Sequence, residues 1–425
     1  MSTHFDPNIL REHFPSLNRQ IDGKTAVFLD GPGGTQTPIG VIEAMSAYLR
    51  QNNSNLGGAF VTSKNTDWTT YNARLAMADL FNARLPEEIV FGQNMTSLTL
   101  AMSRAISKTW QEGDEIVVTY LDHDANITPW TLVAAERGVT VRWLDFVPED
   151  CTLRLDDLPN LVNDRTKLVA VTLASNAVGT IVDVARVCEI AHQVGALVYV
   201  DAVHYTPHAP VDVQALDCDF LVASAYKFFG PHVGIMYGKY DLLESLEAYK
   251  VRPAPSKPPG KWETGTQSFE SLAAVQATVA YLEGIGRQFG GLTSGLLDTR
   301  EARRDRLTSA MLAIKQYEES LGYHFLQKAM TVPGLRVYGV TDVERLGERA
   351  PTFAVSLEGH APREVAKSLG DQGIFVWDGH YYAIAVMERL GLLDGGGLVR
   401  IGFVHYNTIE EVDRLIDALV DLSSD

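Results

Sequence analysis

The sequence of 425 residues predicts an α/β fold with a smaller α+β region toward its C-terminal end, and three observations carry that reading. Short, near-continuous apolar runs at residues 116–120, 168–173, 197–200 and 220–223 are bounded by turn residues, the pattern of strands buried on both faces of a parallel sheet. Between the second and third runs, Val184, Val187, Ile190, Ala191 and Val194 fall on one helical face. Gly195 follows where a C′ glycine belongs, so this stretch reads as a right-handed βαβ unit. Beyond residues 253–260, a proline-rich break, helical and strand patterns mix without that regular alternation.

Taken in order, the chain opens on residues with no basic start followed by an apolar run, so no signal peptide is expected. An N-terminal arm is assigned to residues 1–26, a large domain to 27–285 and a small C-terminal domain to 286–425. Residues 92–106 suggest a helix starting near Thr96 and Ser97, with Thr96 as its N-cap. The 116–120 strand leads into His123. The 253–260 break reads as a surface loop. Helices are expected at 271–287, 296–321, 363–372 and 409–422, and strands at 335–340, 352–357 and 398–403.

Composition narrows the function. Apolar residues make up 46% of the chain, enough for a sizeable core, and no stretch is long enough to span a bilayer. The net charge of −17 argues against nucleic-acid binding and against anionic membrane surfaces. A small anion must therefore be held locally, by backbone N–H groups and a few cations. Cys151, Cys188 and Cys218 are far apart, which suits a reducing, cytoplasmic setting and not a disulfide framework or a paired-cysteine zinc site. The glycines at 31–34 precede Thr-Gln-Thr-Pro instead of an apolar helix start, so they are no dinucleotide fingerprint. His204 and His208 have i, i+4 spacing, but Pro207 between them argues against a metal-binding helix face, and no metal is expected.

The residues that carry chemistry lie mainly at 197–230. Asp201 follows directly on one buried strand, and Lys227 follows another. Ligands of open α/β sheets sit outside the carboxyl ends of the strands, so both side chains would face one crevice. A lysine there can form an imine with an aldehyde cofactor, and an acid can pair with a pyridinium nitrogen. On spacing alone, this pairing and a plain buried ion pair are both open. The expected helix start at 96–97 offers N–H groups for a phosphate, and an ordinary capped helix has the same signature. His123 at a strand end can be structural, can lie flat on a conjugated ring, or can transfer protons.

Six segments in order make the pattern specific: DHDAN around His123, SNAVGT around Asn176, VDAVH around Asp201, SAYK ending in Lys227, ETGTQ around Thr266, and Arg400 within VRIGF. With FLDGPGGTQTP at 28–38, the chain resembles, over nearly its whole length, the class V aminotransferase and cysteine desulfurase family of fold-type I pyridoxal-phosphate enzymes. The resemblance implies a large domain with a mostly parallel seven-stranded sheet and a smaller α+β domain. It implies pyridoxal 5′-phosphate as cofactor, an amino acid as substrate, and a homodimer with shared sites. Lys227 would bear the cofactor as an imine and shuttle the α-proton. Asp201 would bond the ring nitrogen and His123 would stack on the ring. Met95 and Thr96, helped by Ser224 and Tyr226, would hold the phosphate, and Thr266 would reach the phosphate of the neighbouring subunit. Asn176 and Arg400 would bind the substrate carboxylate.

Three positions depart from the common desulfurase pattern. His204 stands where a glutamine usually contacts the cofactor's phenolic oxygen, and Tyr226 replaces a frequent histidine. At 374–383, IFVWDGHYYA, the place of the sulfur-attacking cysteine falls to Tyr382, and no cysteine is near in sequence. A phenol is a poor nucleophile toward sulfur, so persulfide formation is not expected. His380, Tyr381 and Tyr382 are candidates for acid–base work or for shaping the substrate pocket, with simple packing of the loop equally open, while His208 and His232 read as structural. The expected reaction is elimination from a cysteine derivative through an α-carbanion. Transamination, epimerisation and decarboxylative carbon–carbon bond formation share that carbanion and remain open, as does a non-catalytic cofactor-binding protein.

Overall fold

The computed structural model of the chain describes residues 5–291 and 299–424. Seven strands form the main sheet: β1 (Ile89–Gly92), β2 (Glu115–Thr119), β3 (Thr140–Leu144), β4 (Thr166–Thr172), β5 (Leu197–Asp201), β6 (Phe220–Ser224) and β7 (Gly234–Gly238). Their order is β1-β7-β6-β5-β4-β2-β3, and β7 alone runs antiparallel to both of its neighbours. The four strands read from apolar runs lie at β2, β4, β5 and β6. The other three gave weaker signals for physical reasons. Strand β3 is an edge whose residues alternate between open and covered, β7 begins and ends in glycine, and β1 has only four residues.

Helices α1 (Ile39–Gln51), α2 (Val61–Phe81), α3 (Met95–Ile106), α4 (Thr128–Arg137), α5 (Val184–Gln193) and α6 (Phe269–Phe289) belong with this sheet, and α6 packs on α1 and α2. Helix α5 and Gly195, at φ +76°, match the expected helix and its left-handed terminator. The expected helix at 296–321 begins at residues that lie outside the described ones; within them, α7 spans Arg300–Ala329. Residues 253–260 form an irregular, largely exposed loop.

A second sheet, in the order β8 (Leu335–Tyr338), β9 (Thr352–Leu357), β11 (Leu398–Gly402), β10 (Trp377–Gly379), is antiparallel throughout. It is covered by α8 (Pro362–Asp371) and α9 (Ile409–Ser423). Val27 and Leu29 are buried in the same core, because Val27–Phe28 pairs in parallel with Ile374–Phe375. The two sheets meet along residues 178–181 and 348–352. Ala350 N–H donates to Gly179 O at 2.8 Å and Ile181 N–H to Glu348 O at 2.9 Å, while Arg349 spans the seam to the Val178 and Thr352 carbonyls. No helix among the described residues is long and apolar enough to cross a membrane.

Candidate active site

The carboxyl ends of β5 and β6 are adjacent because the two strands are parallel neighbours, and this puts Asp201 and Lys227 at one crevice. Asp201 closes β5 and its Oδ1 accepts the Val203 N–H at 2.9 Å. A short 3₁₀ turn, Ala225–Lys227, then carries the lysine off the end of β6. Its ammonium donates to the Pro32 carbonyl. Burial pushes Lys227 down to about 7, with Arg400 acting in the same sense and Asp201 and Asp30 opposing. Burial raises Asp201 to about 6, against the pull of the Val203 N–H and of Lys227.

Around this pair opens a cavity of about 760 Å³, of the size that holds a cofactor and a small substrate. Met95, Thr96, His123, Asn176, Asp201, His204, Tyr226, Lys227, His380, Tyr382 and Arg400 all line it. Two expected site residues do not. Ser224 is buried at the end of β6, where its Oγ accepts the Met95 N–H at 3.1 Å, so it steadies the start of α3. Thr266 is exposed in the loop before α6, outside the cavity.

The start of α3 corrects one expectation. Asn94, not Thr96, is the N-cap, its side chain accepting the Ser97 N–H at 2.9 Å. An asparagine caps at least as well as a threonine, and here the helix begins two residues earlier. Thr96 therefore sits in the first turn, at the cavity wall. Gly234 on β7 lets the helix approach, because a Cβ there would collide with the Asn94 backbone.

His123 accepts the Ala125 N–H at Nδ1, 2.9 Å away, so its proton is on Nε2. Burial, with Lys227 and Arg400 nearby, pushes it down to about 4, and it is neutral at ordinary pH. Its ring stacks with Tyr382, centroids 5.6 Å apart and planes 13° from parallel.

Arg400 rises from β11. One terminal nitrogen donates to Asn176 O at 2.9 Å, its guanidinium lies 4.3 Å from the Tyr381 ring centre, and burial lowers it to about 10. Asn176 gives an amide proton to Tyr381 O at 2.9 Å. Three buried polar atoms at the cavity residues have no protein partner: Arg400 Nε, Asn176 Oδ1 and His204 Nε2. Buried polar atoms are rarely left so, and together they call for a polar ligand.

The segment 377–383 is firmly held. Tyr382 O accepts the Asp124 N–H at 2.7 Å, His380 O accepts the Ala383 N–H at 2.7 Å, and the Tyr381 hydroxyl bonds Leu398 O. Tyr381 and Tyr382 both adopt left-handed backbone, at φ +54° and +58°, which side chains other than glycine take only where surroundings impose it. Cys151, Cys188 and Cys218 are buried and line no part of the cavity. Burial pushes Cys151 up to about 11 and Cys188 to about 12, and Cys218 well above its usual range.

Sequence reasoning missed Asp30, and it placed Trp377 and Asp378 in a specificity loop without giving either a role. Asp30 has an unpartnered Oδ1 and burial raises it to about 6. Its signal was present, an acid directly after an apolar run, as at Asp201. Trp377 and Asp378 line the cavity from β10, a strand too short to leave a periodic trace.

The residues fit pyridoxal phosphate: an amine of lowered basicity, a buried carboxylate, a neutral flat imidazole, a helix start and an unpaired guanidinium nitrogen surround one space of adequate size. Comparison with known proteins agrees. The family model for Aminotransferase class-V matches residues 27–289 and 306–415. A cysteine desulfurase of Cronobacter sakazakii is 33% identical over 426 residues, covering 97% of both chains. One from Synechococcus elongatus is 33% identical over 437 residues, covering 98% of this chain; the chain spans only 63% of that protein's length. Among solved structures, the apo cysteine desulfurase of Thermococcus onnurineus superposes with a TM-score of 0.87 at 25% identity, covering 100% of both chains. A cysteine desulfurase of Escherichia coli, in an S-sulfonic acid form, gives 0.83 at 26%, covering 99% of each.

Proposed function

Since the chain belongs to the aminotransferase class-V family and is a fold-type I, pyridoxal-phosphate-dependent, cysteine desulfurase-like enzyme, we propose that it is a C–S lyase eliminating a sulfur leaving group from a cysteine derivative, without forming a persulfide. The observation that carries this reading is the state of the thiols. All three are buried away from the cavity and held in the protonated form, whereas sulfur transfer needs a thiolate within reach. Tyr382, to which the family resemblance gives the place of such a thiol, lines the cavity on a backbone held by hydrogen bonds.

When bound, pyridoxal phosphate supplies an aldehyde that condenses with amines and a ring that takes up the electron pair of a bond broken at the substrate's α-carbon. The chain's own residues supply the rest. Lys227 offers an amine that is substantially neutral near pH 7, fit to hold the cofactor and then to take a proton from the α-carbon. Asp201 would hold the proton of the ring nitrogen. Thr96, Tyr226 and the start of α3 would hold the phosphate, with Met95 and Ser224 steadying that turn. Arg400, with Asn176 beside it, would orient the substrate carboxylate. His123 would cover the ring, and His380 and Tyr382, which line the cavity, would border the departing sulfur group. Overall, a cysteine S-conjugate and water would give pyruvate, ammonia and a free thiol.

The protein is further proposed to act in the cytoplasm as a homodimer, with Thr266 serving the neighbouring subunit's phosphate. Phe60, Val61 and Trp68 leave 58%, 69% and 66% of their surfaces exposed, an apolar surface that suits a subunit interface. Sedimentation at twice the single-chain mass of 46.7 kDa is expected. The lyase reading is tested with a panel of cysteine derivatives. Pyruvate, ammonia and thiol released in equal amounts are expected. No release from any of them, or a persulfide found on the protein by mass spectrometry, defeats it. Exchange of the α-proton without any product would instead point to epimerisation.

A further inference from the structure

Behind the cavity wall runs a buried line of titratable side chains that the chemistry above does not use. His204 opens it: the side chain is buried, lines the cavity, and has no protein partner at Nε2. Its ring meets that of His208 edge to face, with centroids 5.3 Å apart. His208 Nδ1 lies 2.8 Å from Oε2 of Glu318 on α7, and these two side chains are 5% and 1% exposed. The other carboxylate oxygen of Glu318 has no protein partner. A void of about 20 Å³, lined by His208, Glu318 and Arg349 among others, has room for one water.

We propose that His208 and Glu318 are a positioning pair for His204, fixing which of its ring nitrogens carries a proton and how readily it takes charge at the cofactor cavity. This rests on the reading that the cavity holds pyridoxal phosphate. A buried carboxylate is retained only with a partner, and the partner here is a histidine that touches a second histidine. The surrounding groups have their own principal partners, although Arg349 Nε and His405 Nδ1 are left without one. Arg349 gives its guanidinium to the carbonyls of Val340, Val178 and Thr352. Lys315 pairs with Glu319 at 2.5 Å. His405, whose backbone N–H serves Glu318, meets the Tyr281 hydroxyl at 2.6 Å through Nε2, and burial pushes it down to about 3, so it stays neutral. Burial first, and then His208, Arg400 and Lys227, push His204 well below the usual imidazole range. Burial raises Glu318 to about 7, with His208 pulling the other way. The proton of the His208–Glu318 hydrogen bond therefore lies one ring contact away from His204. A change of charge on Glu318 reaches the edge of the His204 ring through that contact.

The test is the pH titration of the visible absorption band of the cofactor-loaded enzyme, in wild type, Glu318→Gln, His204→Gln and the double variant. Glutamine keeps the size and the hydrogen-bonding capacity but takes no charge. The band midpoint is expected to move by about one pH unit in Glu318→Gln, with no further movement when that change is added to His204→Gln. An unmoved midpoint in a folded Glu318→Gln, or additive shifts in the double variant, overturns the proposal. Should Glu318→Gln not fold, or the wild type show no visible band, ¹⁵N spectra of the histidine-labelled apoprotein decide. A single His204 tautomer whose signals move together with those of His208 across the pH series is expected, and independent behaviour overturns the pairing. The missing band by itself counts against the cofactor reading alone.

Discussion

At Lys227 burial and chemistry act in the same direction. An exposed lysine is protonated at neutral pH and its ammonium cannot attack an aldehyde; this one is lowered to about 7 by burial and by Arg400. As the pH rises, uptake of pyridoxal phosphate by the apoprotein should therefore quicken about tenfold per unit up to pH 7 and level off above about pH 8. Stopped-flow absorbance measures this, and a rate still climbing toward pH 10 would indicate an ordinary lysine. Asp201→Asn keeps the shape but not the charge. It should retain the cofactor yet lower turnover by about 10² or more, read from steady-state rates at saturating cofactor. Both residues stood out in the sequence as candidates, Asp201 at the end of one buried strand and Lys227 just beyond another, although spacing alone left a plain buried ion pair open. The buried partners of the site were less legible. His204, His208 and Glu318 come from a loop and a helix more than a hundred positions apart, and only the packing of α7 brings them together.

Among the elements, the start of α3 shows how a local signal can be right about a helix and wrong about its cap. Asn94 and Thr96 are both good caps, and the close approach of Gly234 selects the earlier one. Gly234→Ala should push the helix start away from β7. It is expected to weaken cofactor affinity about tenfold, a change read by fluorescence titration, while the far-ultraviolet spectrum stays that of the wild type. Unchanged affinity would mean that the turn does not bear on the phosphate. The segment 377–383 was recognisable as unusual from its residues, but not as pinned. Its restraints are the Asp124 N–H and the Asn176 side-chain amide on its carbonyls and the Tyr381 hydroxyl on Leu398 O, partners too distant in sequence for local pattern to reveal.

On the scale of the whole molecule, the two sheets form one site because Asn176 and Arg400 are brought together across a backbone seam. Gly179, at φ +81°, is central to it, since a Cβ there would stand 2.6 Å from Thr352 O and 2.9 Å from Ala350 O. Gly179→Ala should cost about 2 kcal/mol and lower the melting temperature by a few degrees, measured by calorimetry, and it should raise KM more than it lowers kcat. The seam itself could not be foreseen, because it joins segments about 170 residues apart through main-chain atoms. The central claim is the covalent attachment of the cofactor at Lys227, and borohydride reduction followed by peptide mass mapping tests it most directly. The account predicts a phosphopyridoxyl group on the peptide containing Lys227 and none in Lys227→Ala. A protein that takes up no cofactor, or carries it on another lysine, would contradict it.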